Sequence, residues 1–214
     1  MGALHKLGMK HKVGKANPGK TFFGRNYFDV YEQYFAPMKN LPINILEIGV
    51  LGGKSLRVWA EYFPKARIIG LDIDPACAQQ AGGRIKVITG SQIDPATLGK
   101  VIKAAGSRGY DIIIDDGSHV VNHIMETHSI LWPELRSGGV YALEDLKCSY
   151  MNLEKYNVRK IWPGMKYNPK GEKFVNDRQA LELWLNGLIK DMDYRKGDMY
   201  AIHMWHELAI MLKG

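Results

Sequence analysis

Ile112-Ile113-Ile114-Asp115-Asp116-Gly117-Ser118-His119 decides how this chain reads: a short β-branched run, then two acids, a glycine turn and an imidazole. A second stretch repeats the pattern, with Val140-Tyr141-Ala142-Leu143 running into Glu144-Asp145. Apolar runs of this kind suit strands buried on both faces of a parallel sheet, whose carboxyl ends face the ligand crevice. The two stretches therefore bring up to four carboxylates and one imidazole to one sheet edge. Carboxylates so close repel one another unless a cation or a proton offsets them, and oxygen-only sets suit magnesium, calcium or manganese. A divalent metal site is the first expectation.

Outward from this edge, strands and helices alternate. Tyr27, Val30, Tyr31, Tyr34 and Phe35 recur at helical spacing, so residues 27–38 read as an amphipathic helix ended by Pro37. Strands are expected at residues 43–48, 66–71, 86–88, 111–114 and from Val140, after the turn Ser137-Gly138-Gly139. Helices are expected at residues 55–63, 95–105 and 120–135. This rhythm predicts a doubly wound α/β sheet, because parallel neighbours need crossover helices. After it, Asp177 reads as the N-cap of a helix reaching about Met192, and residues 199–204 and 208–212 as two strands close enough to pair antiparallel. The sheet is thus mostly parallel and closes with a C-terminal antiparallel hairpin.

At 214 residues with 46% hydrophobic content, the chain suits one domain with a sizeable core. The domain is placed at residues 27–214, with an irregular, lid-like insertion at about 149–176 that carries Pro163, Gly164, Pro169 and Gly171. A basic segment, residues 1–26, precedes it. Part of the net charge of +7 lies there, in Lys6, Lys10, Lys12, Lys15, Lys20 and Arg25. It reads as a solvated, mobile terminus, since it lacks the interleaved aromatics of a nucleic-acid surface. Nucleic acid is not the expected partner. Cys77 and Cys148 form no CxxC pair, and no signal peptide, membrane span or lipid-anchor motif stands out, so a soluble, cytoplasmic location is expected.

Glu47-Ile48-Gly49-Val50-Leu51-Gly52-Gly53-Lys54-Ser55 joins the first strand to its helix, and glycines there let backbone approach a ligand. The spacing of a phosphate-binding P-loop is absent, and Glu47 disfavours a pyrophosphate. Asp72, at the end of the second strand, is placed to accept ribose hydroxyls. A nucleoside accounts for the glycine turn and Asp72 together.

These residues carry a resemblance. Leu46-Glu47-Ile48-Gly49-Val50 with Gly52 and Gly53, Asp115 to His119, and Gly138-Gly139-Val140-Tyr141-Ala142-Leu143-Glu144-Asp145 recur in that order in a group that the chain resembles. The group is the class I S-adenosylmethionine-dependent methyltransferases, in the variant of magnesium-dependent sugar O-methyltransferases acting on macrolide antibiotics (mycinamicin type). Leu51 departs from the usual glycine run. The resemblance implies a Rossmann-like methyltransferase fold and S-adenosylmethionine with Mg²⁺ or Mn²⁺. It implies cofactor-site roles for Glu47, Gly49, Gly52, Gly53, Asp72 (ribose), Gln92 (near the adenine) and Asp115; metal ligation by Asp116, Glu144 and Asp145; and His119 as general base. The implied acceptor is a small molecule, a sugar or glycoside with neighbouring oxygens.

Blander readings stand beside these. Asp115 or Asp116 could cap the following helix, and Glu144-Asp145 could cap a turn or pair with lysines such as Lys147. His119 and His123 share a transition-metal spacing, though no thiolate accompanies them. His128, His203, His206, Trp59, Met125 and Trp132 read as core or surface residues. Trp162, Tyr167 and Lys170 are candidates to close over an acceptor, and the aromatic helix from Tyr27 is a candidate homo-oligomer face. Competing functions are a catechol O-methyltransferase, an RNA methyltransferase and a non-catalytic nucleoside-binding protein.

Overall fold

The protein is described here by a computed structural model covering residues 1–16, 26–150 and 176–214. Seven strands form one sheet: β1 (Asn44–Ile48), β2 (Arg67–Asp72), β3 (Ile85–Thr89), β4 (Tyr110–Asp115), β5 (Leu135–Leu143), β6 (Met199–Trp205) and β7 (Leu208–Lys213). Their order is β3-β2-β1-β4-β5-β7-β6. The first five are parallel, and β7 runs antiparallel to both β5 and β6. Every residue of β1 and β4 is buried, the polar Asn44, Glu47, Asp111 and Asp115 included.

Side chains alternate between two cores. Ile45, Ile112, Ile114 and Ala142 face α1 (Ala3–Lys10), α2 (Tyr27–Phe35) and α3 (Lys54–Tyr62). Leu46, Ile113, Tyr141 and Leu143 face α4 (Pro95–Ala105), α5 (Val121–Leu131) and α6 (Arg178–Asp193). Local chemistry sets the helix starts: Asp94 and Asp177 accept from Thr97 N and Ala180 N, and Asn26 forms a reciprocal capping box with Asp29.

Three expectations change. β5 begins at Leu135, so Ser137-Gly138-Gly139 lies within the strand rather than ahead of it; the register shifts between Tyr110 and Ile112, and Gly138 takes a φ of +75° that only glycine adopts without strain. The helix from Tyr27 ends at Phe35, and the Pro37 turn, Ala36–Met38, is a 3-10 helix. The described part of the N-terminal segment is folded, not a solvated tail. Its helix α1 packs beside α2 and α3; Leu4 is fully buried, Glu32 accepts from Ala3 N and Leu4 N, and Glu61 accepts from Lys10 and His11. Much of the expected lid, together with Trp162, Tyr167 and Lys170, lies outside the described residues.

His128 belongs to the second core, stacked on Trp132 and edge-on to Tyr141 and Trp184, and its Nε2 is buried with no hydrogen-bond partner among the described residues. Burial pulls its pKa from 6.5 down to about 4. The unfolded chain therefore binds the proton more readily, and stability falls as pH drops through that window, by roughly 3 kcal/mol for this one group. Replacing it by an apolar residue, His128→Leu, removes the penalty. Urea unfolding of both proteins should show the stability difference moving in the variant's favour by about that amount between pH 6.5 and about 4. A difference independent of pH would contradict a buried neutral imidazole.

Candidate active site

The ladder hydrogen bonds do not stop at the strand ends. Gly49 N bonds Leu71 O, Asp116 N bonds Ile48 O and Glu144 N bonds Asp115 O, at 2.8, 3.0 and 3.0 Å. The loops after β1, β4 and β5 are thereby held level with one another, above a cavity of about 740 Å³ lined by Gly49, Leu51, Asp72, Gln92, His119 and Asp145 among others. Its size is that of a small-molecule cleft.

At one end lie the acids. Ligand atoms of Asp116, His119 and Asp145 lie within 4.8 Å of one another, and His119 Nε2 is 3.7 Å from Asp116 Oδ1. The two carboxylates suit a hard divalent ion, with the imidazole beside them. Glu144 lies outside that trio. It is buried, its Oε1 accepts from Lys15 Nζ at 2.6 Å and from Tyr31 OH at 2.6 Å, and burial followed by the charge of Asp116 raises its pKa. Glu47 is wholly buried, accepts from Trp59 Nε1 at 3.1 Å and has Lys15 Nζ 3.3 Å away. Tyr27 OH donates to Asp145 Oδ1 at 2.8 Å.

Neither Asp115 nor Asp116 caps α5, whereas Glu144 does pair with a lysine, Lys15 rather than Lys147. The N-cap of α5 is Val120, without a side-chain cap; Val120 N and Val121 N are taken by Ser118 Oγ and Asn176 Oδ1. Lys147 pairs with Glu207. His123 Nδ1 meets Ser118 Oγ at 3.0 Å and does not join the candidate metal trio.

At the other end, Asp72 Oδ2 accepts from Val50 N and Leu51 N at 2.7 and 2.9 Å, and Oδ1 accepts from Asp74 N at 2.8 Å. The carboxylate is thus engaged by the backbone of the loop that follows β1 as well as by Asp74 N. Gln92 ties the β4 end to α5: its Oε1 accepts from Ser118 N at 2.8 Å and its Nε2 donates to Thr127 Oγ1 at 3.1 Å. Asp115 is buried beside it, and burial pushes its carboxyl up to about 7. Gly53 provides the left-handed start of α3.

Leu51, His119 and Asp145 are non-glycine residues in the left-handed region, at φ of +49°, +57° and +53°. Each costs on the order of 1 kcal/mol, and such strain collects at functional sites. The sequence gives no sign of it beyond Leu51 replacing a glycine of the usual run. Lys15, Tyr27, Tyr31 and Trp59 read in the sequence as terminus, amphipathic helix and core, not as parts of the site. Their polar tips reach the acids, and no local pattern announces contacts across 101 or 129 residues.

The sheet order and the acidic edge define a class I S-adenosylmethionine-dependent methyltransferase fold. No family model matches the chain. It is 31% identical over 205 residues to an 8-demethyl-8-(2-methoxy-alpha-L-rhamnosyl)-tetracenomycin-C 3'-O-methyltransferase of Streptomyces olivaceus, across 86% of this chain and 48% of the relative. It is 30% identical over 202 residues to the mycinamicin VI 2''-O-methyltransferase of Micromonospora griseorubida, across 86% of this chain and 47% of that one. The crystal structure of MycE from the mycinamycin pathway, in complex with Mg, SAH and mycinamycin VI, superposes with a TM-score of 0.74 at 29% identity, across 100% of this chain and 55% of that one. The chain is thus similar to sugar O-methyltransferases of the mycinamicin type, and it spans about half the length of the curated relatives it matches.

Gly49 has a φ of +89°, and a Cβ there would lie 2.0 Å from Asp116 O. Gly49→Ala should therefore lower the unfolding free energy by about 2–4 kcal/mol in urea titrations. At Gly52 a Cβ would meet nothing within 4 Å, so Gly52→Ala should cost no more than about 0.5 kcal/mol. Equal stability of the two variants would show that the loops are not locked together.

Proposed function

We propose that the protein is an S-adenosylmethionine-dependent, divalent-metal-dependent O-methyltransferase acting on a hydroxyl of a sugar or glycosylated small molecule. The observation that carries this reading is the convergence of Asp116, His119 and Asp145 in the wall of the cavity that Gly49 and Asp72 also line. The glycosylated substrates in the relatives' names support a glycoside acceptor.

Methyl transfer is an in-line displacement: the bond from sulfonium to methyl carbon breaks as the bond from acceptor oxygen to that carbon forms, and the hydroxyl proton must leave. A sugar hydroxyl is a poor nucleophile, and a bound Mg²⁺ or Mn²⁺ supplies acidification and orientation of two neighbouring oxygens. Asp116 and Asp145 would hold the ion, with Glu144 as a further ligand if one of its oxygens turns to it. His119 would take the hydroxyl proton. The loop from Gly49 to Gly53 and the buried Glu47 would shape the methionine end of the cofactor, Asp72 would receive a ribose hydroxyl, and Gln92 with Asp115 would bound the adenine side. Water exclusion falls to the walls of the cavity.

We also propose a cytoplasmic location; no helix among the described residues is long and apolar enough to cross a membrane. We also infer a homo-oligomer, but α2 cannot supply its face, since Tyr27, Phe28, Tyr31 and Phe35 are spent on the chain's own core.

Calorimetric titration should show S-adenosylhomocysteine binding, and glycoside methylation should stop in EDTA. His119→Ala should lower turnover about 10²–10⁴-fold with cofactor affinity little changed. Absence of cofactor binding would overturn the class of activity; turnover of catechols in place of glycosides would reassign the acceptor; normal turnover by His119→Ala would remove the base.

A further inference from the structure

Lys15 is the cation at the centre of the acidic edge. Its Nζ lies 2.5 Å from Asp116 Oδ2, 2.6 Å from Glu144 Oε1 and 3.3 Å from Glu47 Oε1, joining carboxylates carried by β1 and by the loops after β4 and β5. The side chain is 7% exposed. The cost of burying the ammonium is offset by the three carboxylates around it. The group is charged.

A folded scaffold delivers it. Lys15 sits in a 3-10 turn, Gly14–Ala16, between Val13 and Ala16, both of which are buried in the first core. Val13 N bonds Gly8 O, Ala16 N bonds Val13 O, and Ala16 O accepts from Asn26 Nδ2, the residue that caps α2. Withdrawing Lys15 would break this packing and leave Glu47 and Glu144 buried without their counter-charge, which is strongly destabilising.

Charge and geometry leave room for a second cation. Glu47, Asp116, Glu144 and Asp145 supply four carboxylates, whereas a divalent ion neutralises two. Asp116 is divided between two directions: Oδ2 holds Lys15, and Oδ1 lies 3.7 Å from Nε2 of His119, with which Asp116 shares the candidate metal trio. We propose that Lys15 is a permanent positioning residue of the metal centre, its ammonium staying among Glu47, Asp116 and Glu144 when the ion is bound and keeping the second oxygen of Asp116 turned towards that ion. This rests on the metal-dependent reading above. The opposing arrangement is a plug, in which Lys15 occupies the site only until an ion expels it.

Amine acylation followed by peptide mass spectrometry separates the two on the full chain. Bound Mn²⁺ is measured by paramagnetic resonance in the same samples. Lys10 and Lys147, whose side chains are 61% and 54% exposed, serve as reactive controls. Lys15 should stay unmodified with and without Mn²⁺ while both controls react. Mn²⁺ binding that makes Lys15 reactive would overturn the proposal and leave the metal site standing; no Mn²⁺ binding would overturn both. In a second arm, Lys15→Met should weaken Mn²⁺ binding about tenfold or more, because nothing then holds Asp116 with its second oxygen towards the ion. Equal or tighter Mn²⁺ binding by a folded Lys15→Met protein would contradict a positioning role, and if that variant does not fold, the acylation result on the unaltered chain decides.

Discussion

Like charges held together out of water are the constraint on which this structure turns. β1, β4 and β5 are neighbours and end level, so the acids on or just after them, Glu47, Asp115, Asp116, Glu144 and Asp145, are forced into one small region. Glu47 and Glu144 have almost no contact with water. Several carboxylates in that setting cannot all ionise without positive partners, because desolvation and mutual repulsion both oppose the charged form. The architecture supplies such partners from elements far away in sequence: an ammonium from the N-terminal turn, and hydroxyl donors from two tyrosines of α2.

This need explains features that otherwise look unrelated. The aromatic stripe of α2 fills the first core, yet Tyr27 and Tyr31 also direct their hydroxyls at Asp145 and Glu144. Trp59 behaves in the same way, packing its ring against Phe28, Tyr31 and Phe35 while its indole N–H reaches Glu47. Large aromatics with one polar tip are suited to this double duty. The folded N-terminal segment belongs to the same device. Its helix α1 docks on α2 and α3, and the turn that follows places Lys15.

What the sequence made legible was local. The isoleucine run of β4, the Asp94-Pro95 and Asp177 helix starts and the closing hairpin are each decided by neighbouring residues, and the α/β order follows from them. The acidic edge was readable for the same reason, since its residues directly follow apolar strands. Lys15 was not. A lysine among other lysines carries no mark of burial until the fold sets it against residues about a hundred positions away. The early start of β5 was hidden by Ser137-Gly138-Gly139, whose composition signals a turn but whose backbone forms an irregular strand. Asp72 was recognised by position, but its engagement with the backbone of the glycine loop depends on the path that Val50 and Leu51 take.

The central claim is that the acidic edge is built for two cations at once, one tethered and one exchangeable. A crystal structure of the protein with Mn²⁺ and S-adenosylhomocysteine, with anomalous diffraction to locate the manganese, tests it most directly. The account predicts an anomalous peak bonded to Asp116 and Asp145, with Lys15 still hydrogen-bonded to Asp116 and Glu144. A peak at the position of the Lys15 ammonium with the side chain displaced, or no peak at the acidic edge, would contradict it.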